Sequence, residues 1–297
     1  MVNTGFSEIT LERLNYRGSS PWYLEVAITG KCNFSCKYCN RFNSDLDIES
    51  FERFLDSVDM LHHIQITGGE PTVHPEFERI VTLCRNHSKR VGLSTNGSKD
   101  VDYYLSLPVD MFSLSFDDYD HDILRSRGYQ NPQHVENVIR ELSKSRYVNI
   151  GLFIDHLNVD RAEAIVDYVL ALGVTDIKLS TSSHDLGIIP TFSKPYSNYP
   201  ILSYRVNNFM SGKAMRGFPA NKCNMLKNDV TIVGNKHYPC LVYFREGGNE
   251  IGCVDDNMMS DRVNWSDSHN CKTDPICSKF CMDFKCDFNS ALEGMRS

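Results

Sequence analysis

A chain of 297 residues with 41% apolar residues is long enough for one α/β barrel plus an appendage, with a sizeable core. Its net charge of −7 disfavours a general nucleic-acid binder, which is normally basic. The first residues show no charged-then-apolar signal pattern, and no apolar run exceeds strand length, so a soluble cytoplasmic protein without a membrane span is expected.

Residues 23–29 (YLEVAIT) read as a first strand that runs into a cysteine-bearing loop. A helix follows over 47–60, with Ile48, Phe51, Phe54, Leu55 and Val58 at helical spacing. The next strand, 62–67, ends at GGEP and leads to a helix over 74–86. Strands at 90–95 and 110–117 come next, then a helix over 131–145, a strand at 147–154, a helix over 160–173 closed by Gly173, and a sixth strand at 176–180. Six strands alternating with helices predict an α/β fold with a parallel sheet, a partial (β/α)6 TIM-like barrel. In such a fold the chemistry sits on loops at the C-terminal strand ends, where the unusual residues fall. The expected divisions are an N-terminal extension (1–20), the barrel core (21–182), a connecting segment (183–221) and a cysteine-rich extension (222–297). The connection should hold one short helix near Tyr204–Met210. The extension should contain a β-hairpin about Gly234-Asn235.

Eleven cysteines are too many for ordinary cytosolic packing, and an odd number without an export signal argues for metal ligation rather than disulfides. Three lie at 32–39, Cys84 stands alone in a helical pattern as a core residue, and seven lie at 223–286. Cys32, Cys36 and Cys39 are spaced C-x3-C-x2-C, unlike the paired spacing of zinc sites. Three thiolates can hold three irons of a [4Fe–4S] cluster and leave the fourth iron open to another ligand.

This spacing after a first strand, with an aromatic residue (Tyr38) before the last cysteine, resembles the signature of radical S-adenosylmethionine (radical SAM) enzymes. The resemblance implies that the open iron binds the cofactor's methionine amine and carboxylate. It also implies a 5′-deoxyadenosyl radical that abstracts hydrogen from substrate. Gly68, Gly69, Glu70 and Pro71 resemble the family's amine-binding motif, their glycines letting backbone approach a ligand; a plain strand-to-helix turn is the other reading. Asn96 in STNG resembles a cofactor contact, although Asn-Gly is also a common turn pair. Ser115 and Asp117, two apart and so on one side of a strand, resemble contacts to ribose or carboxylate; Asp117 also reads as an N-cap. In HDILRSRG, Arg125 matches by spacing the arginine that binds the cofactor carboxylate, with Arg127-Gly128 as a shifted version. Asn158 resembles a further cofactor contact. Asp155, His156 and His184 are titratable candidates at the same mouth, none standing out.

Cys223 and Cys240 around Gly234 resemble the SPASM and twitch extensions, and Cys271, Cys277 and Cys281 match the last three of the SPASM C-x2-C-x5-C-x3-C run. The first position of that run is Ser268. The resemblance implies at least one auxiliary [4Fe–4S] cluster from Cys223, Cys240 and two tail residues, Cys281 first among them. A second cluster with Cys271, Cys277 and Cys286 stays open, as does a structural zinc site of Cys271, Cys277, Cys281 and Cys286. The implied activity is oxidative modification of a peptide or small polar metabolite, with an electron donor such as a flavodoxin or ferredoxin. About 20 residues precede the first strand, too few for a separate leader-peptide domain. An RNA-modifying enzyme and a non-catalytic iron–sulfur or zinc sensor or scaffold are the alternatives.

Overall fold

The structure, a computed structural model, describes residues 12–16, 18, 20–39, 42–182 and 187–294. Six strand–helix steps follow one another: β1 (Tyr23–Ala27) and α1 (Ile48–Asp56), β2 (Leu61–Thr67) and α2 (Phe77–His87), β3 (Ser88–Thr95) and α3 (Val101–Ser106). Next come β4 (Met111–Ser115) with α4 (His121–Arg127) and α5 (Pro132–Leu142), β5 (Tyr147–Phe153) with α6 (Ala162–Ala171), and β6 (Asp176–Ser180) with α7 (Pro200–Met210). The C-terminal part holds β7 (Met215–Arg216), α8 (Met225–Asn228), β8 (Asp229–Val233), β9 (Lys236–Tyr238), α9 (Leu241–Arg245) and β10 (Gly252–Cys253). It ends with α10 (Met258–Ser268), α11 (Cys277–Phe280), β11 (Cys281–Met282) and α12 (Asp283–Gly294). The helix expected from Tyr204 begins earlier, at Pro200, whose fixed φ suits a first turn. Buried Asp176 accepts from the N–H groups of Ile201 and Leu202 and so anchors that turn.

The described residues form two compact units, and the boundary falls inside β3. One unit comprises residues 32–39 and 92–214. In it β3, β4, β5 and β6 run parallel, with Gly92 opposite Met111, Met111 opposite Tyr147 and Asn149 opposite Asp176. The two-residue period sends Phe112, Leu114, Val148, Ile150, Leu152, Ile177 and Leu179 into the core. Helices α5 and α6 supply its other side, with Val135, Val138, Ile139, Ile165, Val166 and Val169 buried. The opposite face of these strands is polar and open: Ser113, Asn149 and Ser180 are half-buried, and Ser115 and Lys178 are exposed.

The other unit comprises residues 12–31, 42–91 and 215–294. β1 lies between β2 and β8, parallel to both, with Tyr23 opposite His63 and Asp229. β8 and β9 form the expected hairpin, turning at Gly234 with φ +55°, and β9 pairs antiparallel with β10. The cysteine-rich segment falls within this unit. Its strand β8 extends the ladder of β1 and β2, so these elements cohere with the C-terminus. Arg13 is buried against Asp229, and its guanidinium lies over Trp22, Tyr23, Phe284 and Phe288. Among the described residues no helix is long and apolar enough to cross a membrane.

Removing one member of a buried ion pair strands the other in low dielectric, at about 3–5 kcal/mol. Arg13→Ala is therefore expected to lower the thermal unfolding midpoint well below that of Arg79→Ala, whose guanidinium pairs on the surface. Differential scanning calorimetry of the two variants checks the order.

Candidate functional site

The cysteine loop, residues 32–39, belongs to the unit of β4, β5 and β6. Its three thiols are free of disulfides. The Phe34 N–H donates to the Cys32 sulfur at 3.3 Å, the Asn96 amide nitrogen lies 3.7 Å from the same sulfur, and the Cys39 N–H closes a turn on the Cys36 carbonyl. Burial, with the neighbouring charges of Asp117, Cys39 and Cys32, pushes the Cys36 thiol up to about 11. A thiol so placed stays protonated at neutral pH until a metal takes the proton's place. The donor set therefore fits an iron–sulfur cluster held by three thiolates, with N–H groups aimed at sulfur.

The loop is fastened to the strand ends through Asp117, which is 1% exposed. The Tyr38 hydroxyl donates to its Oδ2, the Tyr129 hydroxyl lies 3.3 Å from the same atom, and the Phe153 N–H donates to Oδ1 at 2.9 Å. The Tyr38 ring also stacks on Phe153 with centroids 4.6 Å apart. Burial outweighs these bonds and the charge of Arg127, and raises the Asp117 carboxyl above its ordinary range. Asn158 is not turned toward a ligand: its amide nitrogen donates to the carbonyls of Asp117 and Phe153, and its oxygen accepts from the Asp155 N–H.

The arginine matched by spacing is not the one inside. The Arg125 side chain is 55% exposed and pairs with Asp122. Arg127, 2% exposed, reaches Asp155 at 2.7 Å and Asp117 at 3.7 Å and lies over the Tyr38 ring. Among the described residues its Nε and Nη1 are buried without a hydrogen-bond partner. These orphaned donors fit a missing anionic group. Gly128 has φ +110°, and a Cβ there would lie 2.7 Å from the Ser35 carbonyl carbon and 2.9 Å from the Cys36 nitrogen, so the Arg-Gly pair sits hard against the loop.

Asn96, mostly buried, donates to the Asn33 side chain at 2.8 Å, and its oxygen accepts from the Ser98 N–H. Ser115 and Asp117 part company: the strand ends at Ser115, which is exposed, while Asp117 is buried beyond it, where alternation no longer holds. His156 is exposed, and His184 lies outside the described residues. Phe153, Arg127, Tyr129 and Asp155 complete the cluster, and only sequence-distant packing reveals them together.

Gly68 to Pro71 belong to the other unit. The glycines there let backbone approach the chain's own backbone: a Cβ on Gly68 would meet the Thr29 oxygen at 2.5 Å, and one on Gly69 the Lys31 oxygen at 2.3 Å. The Gly69 and Glu70 N–H groups donate to the Thr29 and Lys31 carbonyls. Glu70, 0% exposed, caps the turn that Pro71 opens, its Oε1 accepting from the Thr72 N–H and hydroxyl.

The same unit gathers six cysteines and His269. Cys271 and Cys286 are buried with Phe218, and Cys223, Cys277 and Cys281 pack against them. A hydrogen bond shared between Cys271 and Cys277 lowers the former thiol and raises the latter; Cys286 and Cys281 form a second such pair, with Cys286 lowered and Cys281 raised. Burial pushes Cys223 up to about 11, with Cys271 and Cys240 as charge neighbours, and Cys240 acts on both Cys277 and Cys281. Cys286 thus groups with Cys281 rather than with Cys271 and Cys277. Cys253 stands apart and exposed, bonded by Lys236.

Residues 26–169 match the family described as the Radical SAM superfamily. The chain is 25% identical over 164 residues to the S-adenosylmethionine-dependent nucleotide dehydratase of Selenomonas ruminantium, covering 48% of this chain and 60% of that protein. It spans less than two thirds of the length of the curated relatives it matches. Its structure is similar to that of Streptococcus suis SuiB bound to precursor peptide SuiA, with a TM-score of 0.61 at 14% identity, covering 90% of this chain and 68% of SuiB. It is also similar to native anSMEcpe with bound AdoMet and Cp18Cys peptide, with a TM-score of 0.60 at 16% identity, covering 92% and 96% of the two chains. These structural likenesses show the fold, of the α/β partial-barrel class read from the sequence.

Loss of Arg127 leaves two carboxylates buried without their cation, whereas loss of Arg125 only takes the partner from an Asp122 that is already exposed. Arg127→Ala is expected to lose iron from the cysteine loop after anaerobic reconstitution and to melt earlier, and Arg125→Ala to match the unmodified chain in both. Iron analysis beside a thermal melt reads the difference.

Proposed function

We propose that the protein, whose residues 26–169 match the Radical SAM superfamily, is an enzyme that cleaves S-adenosylmethionine reductively and uses the resulting 5′-deoxyadenosyl radical to abstract hydrogen from a peptide or small polar metabolite. The observation that carries the reading is the three-thiol loop with no fourth cysteine in it, fastened beside an arginine whose buried Nε and Nη1 have no hydrogen-bond partner among the described residues. Cys32, Cys36 and Cys39 would hold a [4Fe–4S] cluster, which when bound supplies the electron for cofactor cleavage. Arg127 takes over the role expected of Arg125 and offers Nε and Nη1 to the cofactor's carboxylate. In the other unit, the Gly68–Pro71 turn with Glu70 keeps its resemblance to the family's amine-binding motif. Asn96 and Tyr38 brace the loop, Asp117 orients both Tyr38 and Arg127, and Asn158 holds the Asp117 segment from behind. Ser115 opens onto the polar face of β4, β5 and β6, where Ser113, Asn149, Lys178 and Ser180 offer hydrogen bonds to a polar substrate.

Cys223 and Cys240, which act on both pairs of tail cysteines, would join them in at least one auxiliary iron–sulfur cluster. SuiB binds a precursor peptide, which supports a peptide substrate; the dehydratase acts on nucleotides, which supports a small polar one. The net charge of −7 speaks against RNA. A flavodoxin or ferredoxin would supply the electron.

Anaerobic reconstitution, followed by dithionite and S-adenosylmethionine, tests the reading by chromatography of the products. The expected result is 5′-deoxyadenosine from the unmodified chain and none from Cys36→Ala, with about eight irons per chain for one auxiliary cluster. A chain that binds zinc and yields no 5′-deoxyadenosine would be a structural metal protein instead.

A further inference from the structure

The run of tail cysteines lacks its first member, since position 268 is a serine whose hydroxyl donates back to the carbonyls of Asn264 and Trp265. One residue further on, the structure supplies a different donor. A ring nitrogen of His269 and the sulfurs of Cys271 and Cys277 all lie within 4.8 Å of one another, and Nε2 is 3.7 Å from the Cys277 sulfur. A metal bound at roughly 2.0–2.3 Å to nitrogen and sulfur in a tetrahedral site sets its ligands about 3.5–3.8 Å apart. Three side chains gathered this closely need only small rotations to close on one ion.

Each of the three is held from outside the cluster. The His269 ring stacks on Trp265, centroids 3.8 Å apart and planes 18° apart. Lys222 donates to the carbonyls of Ser266, Asp267 and His269 and so fixes the turn that presents the ring. The Cys271 N–H donates to the Asn221 carbonyl. The N–H groups of Ile276 and Cys277 both donate to Asp274 Oδ1, while the Tyr243 hydroxyl donates to Asp274 Oδ2. A surface histidine in a simple ion pair needs none of this. The Asp274 carboxylate does lie 3.7 Å from His269 Nε2, longer than a charge-assisted hydrogen bond.

We infer that His269 is a metal ligand, its imidazole joining the thiolates of Cys271 and Cys277 in one mixed nitrogen–sulfur site. Both a zinc ion and an iron of an auxiliary cluster take this donor set. The inference rests on the reading of the C-terminal cysteines as metal ligands.

The test uses the full chain with Cys32, Cys36 and Cys39 all changed to alanine, so that metal bound elsewhere is read alone. It is reconstituted anaerobically with iron and sulfide in one arm and with zinc in the other. Metal content is counted, and nitrogen ligation is read by pulsed EPR of the reduced iron form or X-ray absorption of the zinc form. The expected result is a directly bound nitrogen in one arm, lost in His269→Ala. His269→Cys should keep the metal and replace nitrogen by sulfur, which separates a ligand change from misfolding. Sulfur-only ligation in the parent, or a nitrogen signal that persists in His269→Ala, overturns the inference and leaves His269 as a partner of Asp274. A parent that binds neither metal overturns it together with the auxiliary-cluster reading, while 5′-deoxyadenosine formation by the unmodified chain would still stand for the cysteine loop.

Discussion

Asp117 is a carboxylate almost wholly removed from water, and such a group persists only where the fold surrounds it with donors. Those donors come from separate stretches of chain: Tyr38 of the cysteine loop, Tyr129 after α4, and the Phe153 N–H at the end of β5. Arg127 sits across from it and spends its remaining charge on Asp155, while Asn158 ties the Asp117 carbonyl to that of Phe153. Satisfying one buried charge therefore sets where the loop of three cysteines lies against the ends of β4 and β5. Polar networks of this kind give little net stability but fix one arrangement, because every partial alternative leaves a buried group unpaired.

Burial also works on the thiols. Desolvation raises Cys36 and Cys223 to about 11, so at neutral pH both carry protons that metal binding must release. The apolar setting that makes bare thiolates costly favours a bound metal, which neutralises several at once. The two thiol groups share this logic but differ in their partners. The loop at 32–39 has beside it a buried guanidinium with two nitrogens that lack a hydrogen-bond partner among the described residues, suited to an organic anion. The C-terminal group has further thiols and an imidazole, suited to a closed metal site.

Much of this was legible in the sequence. Strands β1 to β6 and the hairpin at Gly234 follow from two-residue alternation and turn chemistry, and C-x3-C-x2-C carries its own spacing argument. What stayed hidden depends on packing. Arg125 and Arg127 are two residues apart on a helix, hence on nearly opposite sides, and spacing alone does not say which side faces in. Gly68 and Gly69 announce a close approach, but not that the approach is to residues 29–31 of the same chain. The pairing of β8 along β1 is a contact across some 200 residues that no local pattern encodes, so the grouping of β1 and β2 with the C-terminus could not be read in advance. A single histidine two residues before a cysteine carries no signal until the fold brings Cys277 to it.

The central claim is that the loop of Cys32, Cys36 and Cys39 leaves one iron open to the cofactor. EPR of the dithionite-reduced chain, recorded with and without S-adenosylmethionine labelled with nitrogen-15 at its amine, addresses this most directly. An open iron predicts that the cofactor shifts the cluster signal and that coupling to the labelled nitrogen appears. Identical spectra with and without the cofactor would contradict the account and show the loop's metal to be closed.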